Sequence, residues 1–377
     1  MSDHAFLAPS SAGVWGPGGC PASPRMAQAF PEDGETQEAR EGEAAHWWMA
    51  EAVEGREWPE GSQAPNGVPT TMEMAECAER MVSDIRALLP DMMVSHVLEE
   101  RVHMPQIHPT LNWGRADFGA INVNTRTLYA WDYKFGHGYV DVFENWQLVD
   151  YMVGIANHFG VTITPEWTID MRIYQPRSFH EDGPVKRVTV SGARFLELQA
   201  MLAAAAHEAA QPDAPMRTGP QCTYCPAGGL RGACPALKRV GGIAVDMSLR
   251  GIPAVDMTPA NAGLALRTIR TARERLEDLE TGLEAQIMAA IRKGEPATGW
   301  TLEQGYGREK WTQPVADVIA LGVLMGQDLA KPQEAITPAQ ARKKGIDETV
   351  ISAYSEKPKG EMKLRPLDEK SIRKAFQ

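Results

Sequence analysis

Apolar positions recur at helical spacing over residues 36–53 and again over about 71–89, on either side of a Gly/Pro-rich break at 58–70. Pro90 closes the second helix. Three shorter stretches follow, at 94–102, 115–123 and 127–135, and the turn residues between Asn122 and Thr127 predict a meander of three antiparallel strands. Helical periodicity returns over 142–158, where Glu144, Gln147 and Tyr151 share one face. A strand at 167–174 ends in the Gln175-Pro176 turn, a further strand at 185–190 follows, and an Ala-rich helix spans 191–209.

Beyond Cys234 the pattern becomes mostly helical. Thr258 and Pro259 are a good N-cap and first-turn pair for a long helix reaching about Lys293, with Leu276, Leu279, Leu283 and Ile287 on one stripe. A short extended piece at 299–311 and small helices after Gln313 and Thr337 complete the chain, which ends in a basic tail. The N-terminal stretch 7–24 is rich in Gly, Pro and Ser and cannot be regular, yet it carries Trp15 and Cys20.

Strands followed by helices in this order predict an α/β core at 1–240 and a mostly α-helical extension at 241–377. No stretch approaches the length of apolar chain that spans a bilayer, and no export signal opens the sequence, so the expectation is a soluble, cytoplasmic protein. The net charge of -11 argues against indiscriminate binding to nucleic acid. The acidity is concentrated at one end: residues 1–100 carry 5 Lys/Arg against 18 Asp/Glu, and residues 331–377 carry 11 against 7. A basic path elsewhere is therefore compatible with the total.

The candidate chemistry lies in GRADFGAINVNTRTLYAWDYKFG, which sets Asp117 and Asp132 on successive strands and Lys134 two residues beyond Asp132, on the same face. Two carboxylates that hold Mg²⁺ or Mn²⁺, with a lysine to orient a water, suit phosphodiester hydrolysis. Glu100, on the preceding strand, is a further candidate for the metal shell. The cysteines Cys222, Cys225 and Cys234 form a CxxC with a third nine residues on, a spacing suited to thiolate ligation of one centre. Spacing leaves both zinc and iron-sulfur open, and leaves Cys20 and Cys77 as rival fourth ligands; Cys77 sits mid-helix, where a buried apolar role is commoner.

GRAD followed by WDYK resembles the GxxD and (D/E)xK elements of PD-(D/E)XK nucleases, and Gln147 with Tyr151 resembles the QxxxY pair of the RecB-like branch. EGEAAH, ending at His46, is similar to the GxxxH element of the same branch. The resemblance covers about residues 9–236, and implies a restriction-endonuclease-like core, a mixed sheet flanked by helices, acting as a metal-dependent DNA exonuclease. It implies that His46 joins Asp117 and Asp132 at the metal and that Gln147 and Tyr151 line the site near DNA. Iron-sulfur members such as AddB and the CRISPR-associated exonucleases take one cysteine from before the core and three from after it. By that resemblance Cys20, Cys222, Cys225 and Cys234 would hold a [4Fe-4S] cluster clasping the core. PSSAGVWGPGGCPAS also looks like an uncharacterised phage and prophage family, which implies DNA ends as substrate and a single-strand annealing recombinase as partner. The competing expectations are a non-catalytic DNA-binding scaffold that keeps the fold, and a zinc-stabilised protein with no nucleic-acid role.

Overall fold

A computed structural model describes residues 5–30, 36–56, 59–89, 95–178, 183–228, 232–250, 259–303, 314–325, 337–343 and the single positions 354, 355 and 373. Five strands form one mixed sheet in the order β1 (His96–His103), β2 (Trp113–Asn122), β3 (Thr127–Tyr133), β4 (Thr168–Tyr174), β5 (Val185–Ser191). The first three are the antiparallel meander that the turn chemistry predicts. β4 then runs parallel to β3, and β5 antiparallel to β4. The parallel step needs a crossover, and α5 (Trp146–His158) supplies it.

Helices cover both faces because the strands bury side chains in both directions. α1 (Ala12–Trp15) and α2 (Ser23–Ala29) lie in the N-terminal segment, and α3 (Gln37–Val53) and α4 (Met72–Leu88) follow. α3 and α4 pack against Phe118, Ala120, Trp131, Tyr133 and Tyr174. α5 and α6 (Gly192–Ala209) pack on the opposite face against Val97, Val102, Ala116, Leu128, Ile169 and Met171. Four of these helices begin at a side-chain cap: Thr36, Thr71, Asn145 and Ser191 each accept an N–H from three residues on. α4 is tied to the sheet by Asp84, whose carboxylate accepts from Trp131 Nε1 at 2.7 Å and from Arg172 at 3.1 Å.

Beyond the sheet come α7 (Pro235–Arg250), α8 (Pro259–Arg292), α9 (Val315–Leu324) and α10 (Pro338–Lys343). The chain divides into compact units Met1–Gln286 with Arg365–Gln377, and Ile287–Leu364. That boundary falls within α8 (Pro259–Arg292), whose first part joins the cysteine loop. Thr223 Oγ1 donates to Asp278 Oδ1 at 2.9 Å, and Asp278 also takes a bond from the buried Arg275. Residues 304–311 of the expected extended piece lie outside the described residues, as does most of the basic tail. Among the described residues, no helix is long and apolar enough to cross a membrane.

One buried pair has a measurable consequence. Asp150 on α5 is fully buried, both its oxygens lie 3.0 Å from Asn112 Nδ2, and burial pushes its carboxyl up to about 8. Asn112 Oδ1 has no partner among protein atoms. A carboxyl whose pKa rises on folding stabilises most fully below its unfolded value near 4, and that contribution is lost as pH climbs toward 8. Asp150→Asn supplies an amide N–H for Asn112 Oδ1 and cannot ionise. Its thermal midpoint is expected to gain on wild type steadily from pH 5 to pH 8; parallel curves across that range would show that Asp150 ionises normally.

Candidate active site

The β2–β3 ladder ends at the pair Phe118–Trp131. One residue further, the Asp117 side chain takes the place of a backbone partner, and its Oδ2 accepts the Tyr133 N–H at 2.6 Å. The same register brings Asp117 beside Asp132. On the other side of β2, the β1 pairs Leu98–Phe118 and Glu100–Ala116 bracket Glu99 opposite Asp117. Three carboxylates, Glu99, Asp117 and Asp132, therefore line up across three neighbouring strands.

His46 reaches this row from α3. Its Nδ1 lies 3.0 Å from Glu99 Oε1 and 3.4 Å from Asp117 Oδ1. At the other end Lys134 Nζ donates to Asp132 at 2.9 Å and to Gln147 Oε1 at 3.2 Å, while Gln147 Nε2 donates to Asp132 Oδ1 at 2.9 Å. Tyr151, one helical turn on from Gln147, completes the wall. A cleft of about 670 Å³ opens onto His46, Glu99, Asp117 and Tyr151 and is bordered by Trp47, Asn66, Arg101, Trp113 and Arg115. The N-terminal segment forms its far edge: a Cβ on Gly114 would meet the Pro9 ring at 2.8 Å and Tyr151 at 3.1 Å, so only glycine fits there.

The charges are crowded. Burial alone would lower His46, but Asp117 and Glu99 outweigh it and hold the imidazole well above its usual value. Burial likewise opposes the Lys134 charge, and Asp132 and Asp117 reverse the sign and raise it. Asp132 is raised by burial and by Asp117, Glu99 chiefly by burial, and Tyr151 by burial and the two aspartates. Of the three carboxylates Glu99, Asp117 and Asp132, Asp117 is the one lowered: His46, Lys134 and the Tyr133 N–H overcome its burial. Among the described residues, His46, Glu99 and Asp117 bring one donor atom each within 4.8 Å of the others. Carboxylate oxygens with one imidazole suit a hard or intermediate divalent ion, Mn²⁺ as well as Mg²⁺.

Two expectations are corrected here. Glu100 does not face the site; its carboxylate lies on the other side of the sheet, 3.5 Å from His158 on α5. Glu99 takes its place because its backbone is left-handed, φ 46°, which breaks the strand's alternation. Simple period-two counting could not find it; only the register against Asp117 does. Glu144 is also not on the helix with Gln147 and Tyr151. It precedes the Asn145 cap with φ 45°, and its carboxylate is held by Arg194 and Arg373.

The cysteines separate into two places. Cys77 is buried on α4 within the apolar layer, and burial pushes its thiol up to about 11. Cys20 lies where the N-terminal segment docks on the chain after α6: the Ala22 N–H donates to Pro215 O, and Arg25 to Gln211 O. Backbone N–H groups point at the sulfurs, from Arg217 to Cys20 and from Gly219 to Cys222, each at 3.3 Å. Cys225 is raised by burial, and Cys20 and Cys234 are close enough to add to the effect.

Fold and cleft together define a mixed α/β protein, its five-stranded sheet flanked by helices, with a histidine–carboxylate–lysine site at one end of the sheet. The chain belongs to the DUF2800 family, described as a protein of unknown function, whose model matches residues 4–372. No curated protein matches the chain.

Proposed function

We propose that this protein is a metal-dependent DNA exonuclease with a RecB-like PD-(D/E)XK core, clasped by a [4Fe-4S] cluster. The observation that carries the reading is the joining of Asp132, Lys134 and Gln147 in one hydrogen-bonded group next to Asp117 and His46. A structural salt bridge would not need a second acid, an imidazole and an open cleft beside it.

His46, Asp117 and Asp132, joined by Glu99, would hold the divalent ion, and their oxygen and imidazole donors fit it. When bound, that ion neutralises phosphate charge and lowers the pKa of a water. Lys134, charged and held between Asp132 and Gln147, positions the attacking water and donates to a non-bridging phosphate oxygen. Gln147 fixes Lys134 and Asp132 relative to each other, and Tyr151 closes the cleft above them. Protonated His46 must release its proton before it can ligate. The thiols of Cys20, Cys222, Cys225 and Cys234 fit a cluster by their donor type and by the N–H groups directed at two of them, which stabilise thiolates. Their sulfurs do not form a group as tight as the 4.8 Å one at His46. Tetrahedral zinc, with Zn–S of about 2.3 Å, would draw four sulfurs to about 3.8 Å apart. Zinc on the same thiolates is the alternative, and the company of the nuclease motifs is what favours the cluster. The phage-type resemblance suggests action at DNA ends, in recombination alongside a single-strand annealing protein.

The test is digestion of end-labelled linear single- and double-stranded DNA with Mg²⁺ or Mn²⁺, comparing wild type with Lys134→Ala and Asp117→Ala. Activity in wild type and its loss in both variants is the expected result; equal digestion by all three would sink the assignment. The neighbouring glutamates give a second check. Glu99→Gln is expected to weaken Mn²⁺ binding about tenfold or more by calorimetry, whereas Glu100→Gln, on the far face, leaves it unchanged.

A further inference from the structure

Register places more than carboxylates along the cleft. β1 and β2 pair Arg101 with Arg115 and His103 with Trp113, and Glu99 falls opposite Asp117. Residues directly opposite in an antiparallel pair share a face. Three successive cross-strand pairs therefore run outward from the site: two acids, two arginines, then a histidine and a tryptophan. Glu99, Asp117, Arg101, Arg115 and Trp113 all border the same cleft.

Like charges placed directly opposite each other are destabilising, and here two such pairs follow in succession with opposite sign. A ligand that presents a cation to the first and an anion to the second relieves both. Successive pairs on one face are about 6.8 Å apart along the strands, within reach of two neighbouring phosphates on an extended nucleic-acid strand. Arginine forks match phosphate oxygens two at a time. The Arg101 guanidinium already lies 4.0 Å from the centre of the Trp113 ring, which limits its freedom before any ligand arrives. Arg115 is attracted to Glu99, and a cation on the carboxylates would weaken that attraction and leave the Arg115 charge to an incoming anion.

We propose that Arg101 and Arg115 form the binding site for the phosphate next to the scissile one, and that Trp113 stacks the base beyond it. The proposal rests on the nuclease reading. A base can lie on Trp113 only when its own face is free, which a paired and stacked duplex interior does not offer. Local placement of two arginines also lets a chain of net charge -11 hold a polyanion at this one cleft.

The test is equilibrium binding of fluorescent oligothymidylate to the full-length protein, with Ca²⁺ replacing Mg²⁺, over a range of salt. Arg101→Gln/Arg115→Gln is expected to weaken binding about tenfold or more and to reduce the slope of log affinity against log salt by about 0.7, one phosphate's share. Trp113→Leu is expected to weaken binding by roughly fivefold to a hundredfold with the slope unchanged. Arg115→Lys, which keeps the charge and loses the fork, should restore the slope to the Gln variant. Thermal midpoints close to wild type verify that the variants are folded. Wild-type affinity and slope in the double variant would overturn the proposal, as would poly-glutamate competing as well as oligothymidylate. Loss of digestion in Asp117→Ala alongside unaltered binding in the arginine variant would defeat this inference alone. Undiminished digestion in Asp117→Ala with the arginine effect intact would defeat the nuclease reading and leave the anion site.

Discussion

Asp117→Asn is expected to fold like wild type and to release nucleotides from labelled DNA roughly a thousandfold more slowly, a loss of about 4 kcal/mol in transition-state stabilisation. The two halves of that expectation come from the two oxygens of one side chain. Oδ2 accepts the Tyr133 N–H where the β2–β3 ladder stops, and an asparagine oxygen can do the same, so the strands keep their spacing. Oδ1 faces His46, and there the amide replaces a charge with an N–H donor that cannot ligate a cation. Lys134→Ala should differ in kind: metal binding survives while digestion falls by roughly a hundredfold to ten-thousandfold, the range for a lost proton-handling group. Comparing calorimetric Mn²⁺ binding with initial rates separates the two. An Asp117→Asn protein that digests normally, with its metal bound, would remove the central carboxylate from the mechanism.

Cys20→Ser is expected to lose iron and to unfasten the N-terminal segment, whereas Cys77→Ser keeps both. Joining Cys20 to the loop at Cys222 closes about 200 residues, and the chain-entropy relation for such a crosslink gives about 5 kcal/mol as an upper value. Its loss reaches the cleft, because the segment held by Cys20 also carries Pro9, which forms the cleft edge against Gly114 and Tyr151. Iron per chain and the thermal midpoint of anaerobically purified protein should fall together in Cys20→Ser. Cys77 lies in the apolar layer of α4 with its thiol proton held by burial, so a serine there costs only the small penalty of a buried hydroxyl, about 1–3 kcal/mol. Iron kept in the first variant and lost in the second would reverse the ligand assignment.

Sequence pattern by itself determined the meander of three strands, the helices that begin at Thr36, Thr71 and Ser191, and the shared face of Asp132 and Lys134, to which the family resemblance added Gln147. Each of these depends on neighbours in the chain: alternation within a strand, a cap three residues from its N–H, or a helix that follows its strand directly. Tertiary structure decided what depends on pairing between strands. Glu99 displaced Glu100 because one left-handed residue breaks the alternation within β1 while its pairing with β2 keeps register, and period-two counting has no access to that break. Glu144 left the helix face for the same kind of reason, a left-handed residue just before the cap. The arginine pair was invisible because Arg101 and Arg115 become neighbours only through register. The bond between Thr223 and Asp278, two residues with no local relation, likewise joins the first part of α8 to the cysteine loop. Short-range geometry is written in the order of residues, whereas a cross-strand neighbour is fixed by how the whole sheet assembles.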